Sequence, residues 1–339
     1  MLSGELGSAQ GLGNRVPLEG CACPRCGANR SRIVLRSPDR QFDFPDVFCV
    51  SRCAECGLLF QNPRIASSEL SRHYPDEYPA YGEAEFVLAE ETKWYLKNRM
   101  GYRHLESDLK PTSRQIRFGR AASASALIPE YAPRGRVVEI GCAAGNRLAL
   151  FRRLGWESCA GIEYSEAAAA AARARGLEVT TGPIEEVVLE IPDRSLNAII
   201  AGFVIEHVPN PFALAGQLAA KLKEGGQFLF STVNVDTPDF WLYGRHWYNL
   251  DLPRHMVFFR KRDLHAMLDP DFEIEKIYYQ SSPNDYFVSA TYRLQDGARG
   301  WRKRLDSTLL GPGPKLSRLF SYLARAGLGA RFFVIARKK

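Results

Sequence analysis

Through the second half of the chain, short apolar runs alternate with stretches whose apolar positions fall at helical spacing. The alternation predicts strands at 136–140, 158–162, 178–180, 197–203, 227–231, 273–279 and 331–336. Strands separated by helices in this way build a parallel sheet with crossover helices, so an α/β fold is expected. The punctuation agrees: Ser165 is placed to cap a helix that Gly176 ends, and a helix over 211–223 begins at Pro211 and closes at Gly225 and Gly226. Upstream, 90–110 and 113–127 read as helices beside the mouth of the sheet, and 32–35 and 48–50 read as two short strands. The segment 296–328 reads as helices inserted before the last strand. Its stripe of Leu305, Leu309, Leu316, Leu319, Phe320 and Leu323 suits a core contact better than a membrane face.

The first of these strands runs into a turn of small residues: Val138, Glu139, Ile140, Gly141, Cys142, Ala143, Ala144, Gly145, Asn146. Backbone amides that open the next helix would face a ligand there, and the acid ending the following strand, Glu163, can take two ribose hydroxyls. The segment therefore describes a nucleotide cradle. A dinucleotide fingerprint would place glycine at 141, 143 and 146, whereas this chain has Gly141, Ala143 and Asn146, with its second glycine at 145; NAD is disfavoured. The weaker alternative is a generic strand, turn and helix of an α/β protein.

The acid at 139, two before the first glycine, makes the segment resemble the E/D-x-G-x-G-x-G motif I of class I S-adenosylmethionine-dependent methyltransferases, with Ala143 departing at the middle glycine. That resemblance implies a Rossmann-like, seven-stranded α/β fold whose last strand inserts antiparallel. It also implies a cofactor site in which Gly141, Ala143 and Gly145 form the turn, Glu139 organises the methionine end and Glu163 holds the ribose. Beyond the third strand, 182–186 resembles the loop that places an acid near the adenine, with Glu185 the candidate. Residues 202–208, with Glu206, His207 and Val208, resemble the fourth-strand motif, where Phe203 is expected to pack on the cofactor.

Six of the eight cysteines lie between Cys21 and Cys56, which is not the scatter of a disulfide framework. Cys23 and Cys26, then Cys53 and Cys56, form two C-x-x-C-G knuckles, and four thiolates make a tetrahedral zinc site. The two strands between them suggest a zinc ribbon too small to fold without its metal. Structural zinc is expected, because a catalytic ion would need an open position and usually a histidine. Cys21 and Cys49 stand close enough to substitute as ligands, and a redox role for the pairs is the weaker option. The knuckles, the following G-L-x-F-x-N-P-R over 57–64 and motif I together resemble bacterial methyltransferases with an N-terminal zinc-binding module, several of which act on sugars or cell-surface glycoconjugates.

Residues 241–255 resemble the F-G-x-x-W-x-x-L-D-x-P-R-H signature of the same methyltransferases, with Tyr243 where phenylalanine is usual. Trp247, Tyr248, Arg254 and Glu206 are candidates for holding the acceptor, by stacking on a ring and binding an anionic group. The alternative is a packed lid in which Arg254 only pairs with Asp251. The chain divides into a flexible tail over 1–20, a zinc ribbon over 21–62, a linker and helical cap over 63–130 that includes a tyrosine- and proline-rich stretch at 74–81, and the methyltransferase domain over 131–339. Within that domain lie an acceptor loop at 233–260 and a helical insertion at 281–330.

Methyl transfer from a sulfonium is an in-line displacement, so alignment is the main demand and a base matters only for a poorly nucleophilic acceptor. For a hydroxyl, His207 and His255 are the candidate proton takers, each with a structural imidazole as its alternative. Some quinone-pathway methyltransferases that resemble this chain at E-H-V are thought to hold a metal there with another acid three residues earlier. That position is Phe203, and no metal is expected at this site.

At 339 residues, 45% hydrophobic and 24% charged, the composition is that of an ordinary globular protein with room for one α/β domain and a small extra module. No basic, apolar start marks a secretory signal and no run of eighteen apolar residues marks a membrane span, so a cytoplasmic protein is expected. The net charge of +7 points to an anionic partner, and Arg299, Arg302, Lys303, Arg304, Lys315, Arg318 and Arg325 concentrate it late in the chain. Nucleic acid, a phosphorylated metabolite or a membrane surface would each fit, as would a solvated face with no partner. Three functions remain open: O-methylation of a sugar, glycoconjugate or other small molecule; RNA methylation, with Arg25, Arg30, Arg32 and Arg36 of the ribbon contacting phosphates; or cofactor binding without turnover.

Overall fold

The computed structural model describes residues 16–42, 44, 46–74, 86–309, 322, 324 and 326–339. Most of the tail, 75–81 of the tyrosine- and proline-rich stretch, Lys315, Leu316, Arg318, Leu319, Phe320, Leu323 and Arg325 lie outside the described residues.

The N-terminal part begins with β1 (Leu18–Glu19), β2 (Ser31–Pro38), β3 (Val47–Cys53), β4 (Leu59–Gln61) and β5 (Arg64–Ile65). β1 pairs with β5, so 18–19 of the expected tail are held as a strand. Two helices follow, α1 (Glu90–Arg99) and α2 (Ser113–Ser125). α1 is shorter than its helical pattern because Gly101 takes a positive φ of 83° just past Met100. The two helices cross closely at Gly119, where a Cβ would fall 2.2 Å from the Glu91 carbonyl oxygen. With Leu96, Tyr102 and Ile128 they cover one face of the main sheet, packing against Val137 and Leu229.

The main domain continues as β6 (Arg136–Ile140), α3 (Asn146–Arg153), β7 (Ser158–Glu163), α4 (Glu166–Ala174), β8 (Glu178–Thr181), α5 (Ile184–Glu190), β9 (Leu196–Gly202), α6 (Pro211–Lys221) and β10 (Leu222–Val233). Then come α7 (Pro238–Tyr243), β11 (Val257–Phe258), α8 (Lys261–Leu268), β12 (Phe272–Gln280), α9 (Pro283–Gln295), α10 (Gly300–Leu309) and β13 (Arg331–Lys338). Seven of the strands form one sheet in the order β12-β13-β10-β9-β6-β7-β8. All neighbours are parallel except β13, which runs antiparallel to both β10 and β12. This is the Rossmann-like fold of class I methyltransferases, with the inserted last strand. β6 and β9 are central and almost wholly buried, which is why their sequences are mostly apolar and do not alternate with polar residues. Ser165 and Asn210 cap α4 and α6 by accepting from the N–H groups of Ala168 and Ala213. α6 stops at Lys221 rather than 223, because Leu222 already pairs with Leu196 ahead of a bulge at the two glycines.

The ribbon does not stand apart. Its sheet has four strands, β11-β4-β3-β2, and β11 is supplied by the far end of the acceptor loop, Val257 facing Phe60 and Phe258 facing Leu59. Cys23, Cys53, Leu58 and Phe60 belong to the same buried cluster as Met256, Val257 and Phe259 and the sheet residues Phe228 and Phe230. The ribbon and the main domain share one core.

Candidate active site

Ligands of an open parallel sheet bind beyond the carboxyl ends of its strands. There the structure has a cavity of about 790 Å³, reaching from Gly141, Ala143, Glu163 and Glu185 at one end, past Phe203, to His207, Tyr248 and His255 at the other.

The turn after β6 is built from left-handed residues: Gly141, Ala143 and Gly145 have φ of 66°, 47° and 76°. A Cβ at Gly141 would lie 2.5 Å from Val204 Cγ2, so only glycine lets the turn approach β9. The Ala143 N–H donates to Glu163 Oε2 at 2.8 Å and the Ser165 N–H to Oε1 at 2.9 Å, which fixes the carboxylate at the end of β7. An L-residue held left-handed costs about 1 kcal/mol, so Ala143→Gly is expected to raise unfolding stability by roughly 0.5–1 kcal/mol, less glycine's greater freedom when unfolded. Chemical denaturation checks this; a loss of stability would show that the alanine methyl contributes contacts that outweigh the strain.

Glu139 is buried behind the turn and pairs with Arg147 Nη1 of α3. Burial raises its carboxyl to about 7, Arg147 offsetting only part of that. Its second oxygen, Oε2, has no hydrogen-bond partner among the described residues. The left-handed turn, the fixed Glu163 carboxylate and this spare buried acceptor fit S-adenosylmethionine: Glu163 and Glu185 would hold its adenosine, and Glu139 would face its cationic methionine end. Arg147 was not among the sequence candidates; nothing in the pattern marks a partner eight residues on, across the turn. Phe203, at a φ of 55°, is about one-third exposed and meets Phe333 edge-on at 5.8 Å.

At the other end, two imidazoles meet. The His207 and His255 rings lie 4.6 Å apart at 80°. His207 Nδ1 is 2.9 Å from the Tyr74 hydroxyl, and His255 Nδ1 is 2.9 Å from the Asn249 carbonyl oxygen. A carbonyl only accepts, so His255 Nδ1 carries the hydrogen and, in the neutral ring, Nε2 keeps the lone pair. That nitrogen lies 3.8 Å from Asp251 Oδ2 and 4.0 Å from Glu206 Oε1. Burial lowers both histidines, His207 well below the usual imidazole range, and raises the Glu206 carboxyl to about 8. Neither Glu206 side-chain oxygen has a hydrogen-bond partner among the described residues. The expectation of no metal here rested on Phe203 standing where an acid would be. The structure instead brings in His255, so that Glu206, His207 and His255 present donor atoms within 4.8 Å of one another, a set a divalent cation could use.

Three of the expected acceptor contacts are corrected: Glu206 is wholly buried and does not line the cavity, and neither do Trp247 and Arg254. Trp247 is 1% exposed; it donates through Nε1 to Asp239 Oδ2 at 2.6 Å and packs on Phe240, away from the cavity. Arg254 is fully buried, bidentate to Asp39 at 2.7 and 2.8 Å, bonded to Asp251 and stacked over Phe42 at 4.8 Å. Its partners are acids of the protein, which leaves it no N–H for a ligand anion. Tyr248 does line the cavity, as do Gln41, Leu70 and Tyr74 from the N-terminal part, which sequence reasoning missed.

The four knuckle sulfurs also converge, with Cys23 Sγ 3.5 Å from Cys56 Sγ and Cys26 Sγ 3.5 Å from Cys53 Sγ. Zinc bonded to four thiolates at about 2.3 Å sets them roughly 3.8 Å apart, so the cluster fits the ion. Gly27 and Gly57 both take a φ of 72° and donate back to the Cys23 and Cys53 carbonyls. The knuckles are clamped to α8 through Arg25 and Asp263 at 2.9 Å and through Arg260, which donates to the Gly57 carbonyl.

Residues 114–276 match a family model described as a methyltransferase domain. A ubiquinone biosynthesis O-methyltransferase of Bradyrhizobium sp. (strain ORS 278) is 30% identical over 163 residues, 46% of this chain and 63% of the relative. A phosphatidylethanolamine N-methyltransferase of Cereibacter sphaeroides is 28% identical over 27% of this chain and 48% of its own. The chain thus spans less than two thirds of the length of these curated relatives. Among solved structures, geranyl diphosphate C-methyltransferase from Streptomyces coelicolor A3(2), in complex with Mg2+, geranyl diphosphate and S-adenosyl-L-homocysteine, aligns with a TM-score of 0.45 at 15% identity, over 80% of this chain and 97% of that one. An S-adenosylmethionine-dependent methyltransferase from Mesorhizobium loti aligns with a TM-score of 0.42 at 18% identity, over 64% and 96%. The middle of the chain is thus similar to methyltransferase domains.

Proposed function

We propose that the protein is an S-adenosylmethionine-dependent O-methyltransferase acting on a hydroxyl of a ring-shaped small molecule, sugar or phenol, free or as part of a glycoconjugate. The observation that carries this reading is the single cavity joining the motif I turn to the histidine pair. When bound, S-adenosylmethionine supplies a methyl group on a sulfonium that any aligned nucleophile can take. The cradle residues bind and orient it. Phe203, Tyr74 and Tyr248 suit a flat or ring-shaped acceptor, and the curated relatives named as O-methyltransferases favour oxygen over carbon or nitrogen.

In this reading His255 accepts the proton at Nε2 as the acceptor oxygen takes the methyl. Burial keeps the ring neutral at pH 7, ready to accept. The experiment is transfer of labelled methyl into extract lacking this protein, fractionated into RNA, protein, glycan-lipid and small-molecule pools. Label in the glycan-lipid or small-molecule pool is expected, and His255→Asn should lower kcat about 100-fold while leaving S-adenosylhomocysteine binding intact. Because the folded imidazole titrates below its usual range, wild-type kcat/KM should stay level through neutrality and fall only under more acidic conditions; a variant with wild-type turnover would exclude His255 as the base.

RNase-sensitive label would favour the RNA reading. One of its four ribbon bases, Arg25, is already paired with Asp263, while Arg30 is exposed and lies 4.0 Å from Glu55. Cofactor binding without any label would favour the binding module.

A further inference from the structure

The basic run late in the chain plays no part in the site described above, and the structure gives it a setting. The first turn of α10 presents four consecutive exposed residues, Trp301, Arg302, Lys303 and Arg304, with exposed Arg299 just before it. Trp301 is 63% exposed, with the Arg302 guanidinium 5.5 Å from its ring centre. A second indole, Trp241 on α7, is 67% exposed. Both helices are pinned to α9 by one side chain: Arg293 donates to the Leu242 carbonyl of α7 and bonds bidentately to buried Asp306 of α10. Of the acids nearest in the chain, Asp306 is held by Arg293 and Asp296 is engaged by Arg40, Arg245 and His246.

Large exposed apolar side chains flanked by exposed cations mark an interaction surface. We propose that α10 and α7 form a docking face for an anionic lipid bilayer, Trp301 and Trp241 entering the headgroup layer while Arg299, Arg302 and Lys303 lie against its negative surface. An indole has an apolar body and one N–H, which suits that depth, and each base near an anionic leaflet adds attraction that salt screens. The same α9 carries Ser289 and Asp285, which hold Tyr248 and Asn249 at the cavity rim, so the docked face and the acceptor end of the cavity share a rigid support. The inference does not depend on the transferred group or on turnover.

The test is sedimentation of the whole zinc-loaded protein with vesicles of pure phosphatidylcholine and of equal parts phosphatidylcholine and phosphatidylserine, at low and high salt. Binding only to the anionic vesicles, weakened by salt and reduced about tenfold or more by the pair Arg302→Glu and Lys303→Glu, is expected. Brominated lipid should quench tryptophan fluorescence, less so after Trp301→Ala. S-adenosylhomocysteine binding by each variant reports that it is folded. Equal binding to neutral vesicles, no vesicle binding by folded protein, or loss in these variants of binding to an RNA oligonucleotide rather than to vesicles would each overturn the proposal.

Discussion

With zinc proposed at the four knuckle sulfurs, its removal by chelator or by Cys53→Ser is expected to lower the melting temperature by roughly 6 °C or more and to abolish methyl transfer. Structural zinc in isolated knuckle modules contributes about 10 kcal/mol. Even a third of that, at about 2 °C per kcal/mol for a chain of this size, gives the shift stated. The expectation is larger than for an appended module because Cys23 and Cys53 belong to the core cluster that contains Met256, Val257 and Phe259, and because β11 closes the ribbon sheet from the acceptor loop. Loosening the knuckles therefore loosens the loop that carries Asp251, His255 and their neighbours. The cradle at Gly141 and Glu163 hangs on β6 and β7 instead, so S-adenosylhomocysteine should still bind the metal-free protein below its melting point. Metal analysis, thermal unfolding and calorimetry check the three parts. One bound zinc per chain with no change in melting on its removal would show the ion to be peripheral.

The strands and the cradle were legible in the sequence because both are local. An apolar run of five residues or a small-residue turn before a helix carries its signal in consecutive positions, and all seven main strands fall within a few residues of where the pattern puts them. Cys23, Cys26, Cys53 and Cys56 were legible because two thiolates and a glycine within five residues have few other uses. What was not legible depends on partners distant in the chain. β11 is two residues long and exists as a strand only because β4 lies beside it. Trp247 looked like a stacking surface until Asp239 and Phe240 enclosed it, and Gln41 joined the cavity only because its hairpin folds over a loop some two hundred residues on. The aromatic and basic signature at 241–255 thus proved mixed: Tyr248 and His255 face the cavity, and Trp247 and Arg254 hold the loop in place.

Replacing Arg254 by alanine should be the most damaging single change away from the knuckles. The five N–H groups of its guanidinium are matched by bonds to Asp39, Asp251 and the His73 carbonyl. Removal would leave Asp39, itself 1% exposed, without its counter-charge, and breaking a buried pair in this way costs about 3–5 kcal/mol. The pH dependence tests the cause. Burial alone would raise Asp39, but Arg254 and His73 outweigh it and hold the carboxyl at about 2. Because that value lies below the unfolded one, near 3.8, the stabilisation is present above pH 4 and is lost as pH falls toward 2 in the parent protein. Without the arginine the carboxyl is left with its burial cost and titrates higher, so the deficit should be greatest near neutrality and shrink as acid protonates the group. Arg254→Lys keeps the charge but not the fork and should fall between the two. Activity should follow the geometry: the pair fixes Asp39, two residues from Gln41, and Asp251 at the cavity rim, so acceptor KM should rise more than kcat falls, while cofactor affinity at the Glu163 end holds. A loss under about 1 kcal/mol, equal at pH 5 and pH 8, would show that the two acids find other partners.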